Sequence, residues 1–172
     1  MNPMSHESSP VETALVSDSS GMVLFLDFDG VTHPEPCARS DEFCFLPYVE
    51  QVVREHPGVD LVISSSWREQ YSLEQLQGFF SADIAPRVVG VTPSSKDLMD
   101  TWLPGSALRH EREAQCESWM RQNRPWGTPW LAIDDRAHWF RPDCSDLLLT
   151  SSAIGFTPAH QATLKDMIRA RS

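Results

Sequence analysis

The chain has 172 residues, 41% hydrophobic and 22% charged, which fits one globular unit with a single core. Its 14 basic and 24 acidic residues leave a formal net charge of −10, so composition offers no general attraction to nucleic acid or anionic membrane. No apolar run reaches the roughly 18–20 residues that span a bilayer, and Cys37, Cys44, Cys116 and Cys144 form no C-x-x-C pair of the kind that binds zinc.

Residues 1–20 are rich in Ser, Glu and Pro and poor in large apolar groups, which predicts a mobile tail. They also lack the basic and apolar regions of a secretory signal, and with the unpaired cysteines this points to a reduced, cytoplasmic protein. Residues 21–172 read as one folded domain. Met22 to Asp27 is a short continuous apolar strand, the kind found in sheets covered on both faces. An irregular loop with Pro34 and Pro36 runs from His33 to Phe45.

Apolar residues at 46, 49, 52 and 53, with Pro47 in the first turn and Gly58 beyond the end, predict a helix over Leu46 to His56. Val59 to Ile63 is a second buried strand, ending in Ser64-Ser65-Ser66-Trp67-Arg68. Ser72 opens a helix running to Phe80, with Glu74 and Gln75 in its first turns. Arg87 to Val91 is a third strand, and residues 94–109 read as a loop with at most one short helical turn. Glu111 to Asn123 is a helix with Trp119 and Met120 inward, and Trp130 to Ile133 a strand that runs into Asp134-Asp135. Asp146 to Thr150 and Pro158 to Ala170 complete the chain as a strand and a helix. Strands alternating with helices predict a parallel α/β sheet.

Asp27-Phe28-Asp29-Gly30 places two carboxylates at the end of the first strand. Two acids there repel unless a cation or a proton lies between them, and the glycine lets the backbone turn away. An oxygen-rich, turn-adjacent pair suits Mg²⁺, although D-x-D-G by itself also occurs in calcium-type loops and plain turns. In open parallel sheets ligands bind beyond the carboxyl ends of the strands. Three strands end there in reactive residues, Asp27/Asp29, Ser64/Ser65 and Asp134/Asp135, and together they point to one site. Ser65 and Ser66 taken alone read as turn formers, Arg112 as a solvated helix residue and His33 as an exposed loop histidine. Trp67 and Arg68 follow the serines closely enough to contact a substrate, with core packing as the plainer role.

These motifs resemble those of the haloacid dehalogenase (HAD) superfamily of aspartate-nucleophile phosphotransferases. The first is Asp27-Phe28-Asp29-Gly30, the second Leu61-Val62-Ile63-Ser64 and the fourth Ala132-Ile133-Asp134-Asp135. The third, a lone cation, is placed at Arg112, with Arg109 and Lys96 as alternatives. Further similarity, from Val31-x-His33-Pro34 through Ser-Ser-Trp67-Arg68 and Val89-Gly90-Val91-Thr92-Pro93 to Arg112 and Trp119, is to small bacterial HAD domains, some linked to RNA-repair proteins.

The resemblance covers about residues 22–170 and implies a three-layer Rossmann-like α/β core. That core has a parallel sheet of about five strands, helices on both faces and no large cap domain. It implies that Asp27 attacks phosphorus to form an aspartyl-phosphate while Asp29 serves as acid and base. Mg²⁺ would be held by Asp27, the Asp29 backbone carbonyl and Asp134, with Asp135 as a neighbouring or alternative ligand. Ser64 and the following N–H, that of Ser65, would grip a phosphoryl oxygen, and Arg112 would balance its charge.

The implied activity is Mg²⁺-dependent phosphatase action on a phosphorylated small molecule, a phosphoprotein or a nucleic-acid end, with no membrane partner. A binding module with little turnover is the alternative from another class. A dehalogenase is a weaker rival, because C2-type haloacid dehalogenases lack the second aspartate that this chain keeps.

Overall fold

The computed structural model describes residues 21–100 and 107–171. The expected N-terminal tail lies outside the described residues. Five parallel strands form one sheet: β1 (Met22–Leu26), β2 (Val59–Ile63), β3 (Val88–Val91), β4 (Trp130–Asp134) and β5 (Leu147–Leu149), in the order β3-β2-β1-β4-β5. Leu24 in the central strand sits opposite Leu61 on one side and Leu131 on the other. The chain first builds outward from β1 to β3, then returns to the far side of β1 for β4 and β5. Strand order therefore reverses at the β1/β4 boundary, where a parallel sheet opens a crevice beyond its carboxyl ends.

Alternation along each strand divides the core into two layers. Leu24, Leu26, Leu61, Ile63, Leu131 and Ile133 pack with Val49, Val52 and Val53 of α1 (Leu46–Glu55), Leu76 of α2 (Leu73–Gln77), and Leu164 and Ile168 of α5 (Pro158–Arg169). On the opposite face Val23, Phe25, Val62 and Ala132 meet Phe140 and three residues of α4 (Glu111–Asn123), namely Cys116, Trp119 and Met120. Phe25 lies edge-on between Trp119 and Trp130, at centroid distances of 5.9 and 5.7 Å. Gly90 makes room for this layer, since a Cβ there would lie 3.0 Å from Trp119 Nε1. This is the three-layer α/β core expected from the sequence. Among the described residues there is no separately folded cap, and no helix is long and apolar enough to cross a membrane.

Local chemistry explains the element ends. The carbonyls at the end of α1 are taken by Arg87, whose guanidinium donates to Val53 O at 2.5 Å and His56 O at 2.6 Å. α2 starts on the expected capping box, with Ser72 Oγ accepting from Gln75 N–H and Gln75 Oε1 accepting from Ser72 N–H. It stops at Gln77 rather than Phe80, because Gly78 ends it and tight turns redirect both Phe79 and Phe80 toward the core. The stretch expected to be mainly loop contains α3 (Ser95–Asp100) and a 3₁₀ turn at Ala107–His110. A reciprocal Ser94/Asp97 pair initiates α3: Asp97 Oδ2 accepts from Ser94 N–H at 2.9 Å and Ser94 Oγ from Asp97 N–H at 3.3 Å. β5 is shorter than the expected strand, covering only Leu147–Leu149.

α5 begins on Thr157, whose backbone N–H donates to His160 Nδ1 at 3.0 Å. That bond requires an unprotonated Nδ1, and burial lowers the His160 pKa below its ordinary 6.5. A base with a depressed folded-state pKa contributes stability above its unfolded value and loses it as pH falls through the folded one. Thermal melts of the parent and a His160→Gln variant should therefore coincide near pH 8 and separate below about pH 6.5, the parent losing more. Parallel pH profiles would show that the cap does not titrate.

Candidate active site

The carboxyl ends of β1, β2 and β4 meet at the switch point. The ladder continues past β1, with Asp27 N–H donating to Ile133 O at 3.1 Å and Ser64 N–H to Leu26 O at 3.0 Å. Asp27 is 4% exposed and Asp134 1% exposed. Asp27, Asp134 and Asp135 each present a carboxylate oxygen, and these atoms all lie within 4.8 Å of one another. Gly30 makes this convergence sterically feasible. Its φ is +70°, and a Cβ there would lie 2.3 Å from Asp135 Oδ2. Thr150 Oγ1 donates to Gly30 O at 2.8 Å and ties the turn to the end of β5.

One guanidinium serves this acidic group from within. Arg112, in the first turn of α4, lies 3.7 Å from Asp27 Oδ1 and 3.6 Å from Asp134 Oδ2, and donates to Ser64 O. Its guanidinium carbon also lies 4.8 Å over the Trp139 ring. Of the three candidate cations, Arg112 is the buried one, whereas Arg109 and Lys96 are exposed. Arg112 is shared by Asp27 and Asp134, while Arg136 pairs with Asp135, so two guanidinium groups face three carboxylates. Burial pushes the Asp27 pKa up, opposed by Arg112. Burial and the charge of Asp27 push Asp134 up to about 7. Both shifts run in the direction that a cation bound among these carboxylates would reverse.

The other polar groups divide into held and open ones. Asp27 Oδ1 accepts from Phe28 N–H and Asp134 Oδ1 from Arg136 N–H, both at 2.8 Å. Asp135 accepts from Ser152 Oγ at 2.5 Å and pairs with Arg136 Nε at 3.3 Å. By contrast Asp134 Oδ2, Ser64 Oγ and Thr92 Oγ1 are buried without a hydrogen-bond partner. An orphaned buried polar atom costs about 1–3 kcal/mol. Three such atoms at the ends of β2, β3 and β4 mark a place shaped for a polar ligand. An oxygen cluster with an unfilled carboxylate lone pair fits Mg²⁺.

Asp29 contributes no side-chain oxygen to the three-carboxylate group. Its Oδ2 accepts from Trp67 Nε1–H at 3.0 Å and its Oδ1 lies 3.1 Å from His33 Nε2. The hydrogen bond from His33 is the main cause holding the Asp29 carboxyl below its ordinary value. His33, Trp67 and Arg68 thus all reach the site region, each with a partner in the protein. Arg68 Nη1 donates to Ser64 O at 2.9 Å and Ser65 O at 2.6 Å, bracing the turn after β2. Ser65 Oγ accepts from Trp67 N–H at 3.5 Å.

Sequence reasoning missed Thr92, Trp139 and Thr150. For Thr92 a signal was present, a strand running into Thr-Pro at the same sheet edge. Trp139 and Thr150 carry none, since their roles depend on which elements become neighbours.

A family profile described as "HAD domain in Swiss Army Knife RNA repair proteins" matches residues 23–161. A comparison with curated proteins and one with solved structures each found no match. The profile spans β1 through the first turn of α5, including every strand end described above. The chain belongs to this family of HAD domains found in RNA repair proteins.

Proposed function

We propose that the protein is a Mg²⁺-dependent phosphatase that works through an aspartyl-phosphate on Asp27. The observation that carries this reading is the buried Asp27/Asp134/Asp135 group, with Arg112 against it and unpartnered Asp134 Oδ2 and Ser64 Oγ beside it. Asp27, Asp134 and the Asp29 carbonyl would hold the cation, with Asp135 alongside. Once bound, Mg²⁺ offsets the repulsion between these carboxylates and a phosphate dianion.

The chain's own groups account for the remaining chemistry. An Asp27 oxygen attacks phosphorus as the bond to the leaving oxygen breaks. Ser64 Oγ and the N–H of Ser65 bind one phosphoryl oxygen, and Arg112 balances the charge that Asp27 and the phosphoryl group share. Asp29, outside the cation group, gives its proton to the leaving oxygen and then takes one from the water that cleaves the aspartyl-phosphate. An approaching phosphate dianion raises the proton affinity of Asp29, countering the lowering by His33.

For the substrate, we infer a large phosphorylated molecule, with a nucleic-acid end foremost. Without a folded cap among the described residues, substrate bulk would shield the site. Recognising an end requires few contacts, so the net charge of −10 is no obstacle. The RNA-repair setting of the family supports this class. A screen across nucleotides, sugar phosphates, phosphopeptides and 3′- or 5′-phosphorylated oligonucleotides tests it. Preference for the oligonucleotides is expected, and confinement of turnover to small sugar phosphates would contradict it.

Asp27→Asn should lower Mg²⁺-dependent hydrolysis of an aryl phosphate by about 10³-fold or more, as loss of a nucleophile does. Retained turnover would place the nucleophile elsewhere. Asp134 yields a second prediction, because its folded pKa lies above the unfolded value of 3.8. The apo native state then holds a proton that the unfolded state has released, and stability falls as pH rises from about 4 to about 7. Apo Asp134→Asn should therefore melt several degrees above the parent near pH 8, with the difference closing near pH 5. Adding Mg²⁺ should raise the parent's melting temperature and barely move the variant's. Equal Mg²⁺ shifts in both proteins would remove Asp134 from the cation site.

A further inference from the structure

The Asp29 carboxylate is engaged on both oxygens, by residues from two separate segments. His33 Nδ1 accepts from Phe43 N–H at 3.2 Å, and a backbone N–H can only donate. The neutral ring therefore carries its proton on Nε2 and donates it to Asp29 Oδ1. Phe43 makes this bond from the left-handed region, at φ +63°, a conformation that bulky residues rarely adopt. Its ring is stacked on Phe79 at 4.6 Å and lies edge-on to Phe28 and Trp67, which holds the backbone in place.

On the other side, Trp67 sits in the 3₁₀ turn Ser66–Glu69, directly after Ser64 and Ser65. Tyr71 stacks on its ring at 5.5 Å and Phe28 meets it edge-on. Packing alone would be served by phenylalanine, yet the indole N–H is spent on a carboxylate 38 residues away in sequence. The carboxylate that these two donors hold contributes no oxygen to the Asp27/Asp134/Asp135 group.

We infer that His33 and Trp67 are positioning residues that aim the Asp29 carboxyl at the leaving oxygen of a phosphate ester. The inference rests on the phosphatase reading and concerns one step of it. The Asp27–phosphorus bond forms and the bond from phosphorus to the leaving oxygen breaks. The electron pair left on that oxygen takes the proton of the Asp29 carboxyl. A misaimed acid harms this step only when the leaving group needs a proton.

The test compares kcat/KM for 4-nitrophenyl phosphate, phenyl phosphate and a simple alkyl phosphate, because kcat/KM reports the steps through aspartyl-phosphate formation. Trp67→Phe keeps the ring and removes the donor. His33→Phe does the same at the other oxygen, and His33→Gln restores an N–H near the Nε2 position. Trp67→Phe and His33→Phe should change 4-nitrophenyl phosphate by less than about threefold but lower the alkyl ester about 10- to 100-fold, with His33→Gln recovering most of the loss. Equal losses on all three esters, or none on the alkyl ester, would overturn the inference while leaving the phosphatase reading intact. So would a His33→Gln variant no better than His33→Phe. Absence of parent hydrolysis on every ester and on 3′- and 5′-phosphorylated oligonucleotides alike would remove the phosphatase reading and this role with it. Trp67→Phe alone decides the matter if His33→Phe fails to fold.

Discussion

Three carboxylates crowd the end of an apolar sheet, and the two most buried, Asp27 and Asp134, share the guanidinium of Arg112. Burial raises the cost of each charge, and proximity raises it further, which pushes the Asp134 carboxyl up to about 7. The same crowding makes the place useful. A cation and a phosphoryl group together would neutralise the cluster and partner the orphaned Asp134 and Ser64 oxygens.

The fold supplies the crowding by ordinary means. Continuous apolar strands force a sheet covered on both faces, and the reversal of strand order beside β1 leaves a crevice at its carboxyl end. Gly30 turns the chain so that Asp135 can approach, and α4 begins with Arg112 aimed into the crevice. Asp27 and Asp29, two residues apart, end in different surroundings. Asp27 joins the three-carboxylate group, while the Asp29 side chain is held by His33 and Trp67.

Much of this was legible in the sequence. Each strand announces itself as an apolar run broken by an acid, a serine or a threonine, and those breaks mark the site edge. Arg112 was the choice for the lone cation, with Arg109 and Lys96 left as alternatives because helix phase and neighbouring strands decide which one is buried. α3 was legible only as one short helical turn within a loop, because its six residues hide periodicity, although Ser94 and Asp97 carried a capping signal. The His33–Asp29–Trp67 arrangement was not legible. It depends on a 38-residue separation closing to 3.0 Å and on Phe43 adopting a conformation that sequence reserves for glycine.

The central claim is that Asp27 forms a covalent bond to phosphorus. The most direct measurement is an acid quench of the wild-type protein during Mg²⁺-dependent turnover of a phosphate monoester, followed by peptide mapping by mass. The account predicts a phosphoryl group on the peptide containing Asp27, removed by mild alkali. Turnover with the phosphoryl group on another residue, and none on the Asp27 peptide, would contradict it.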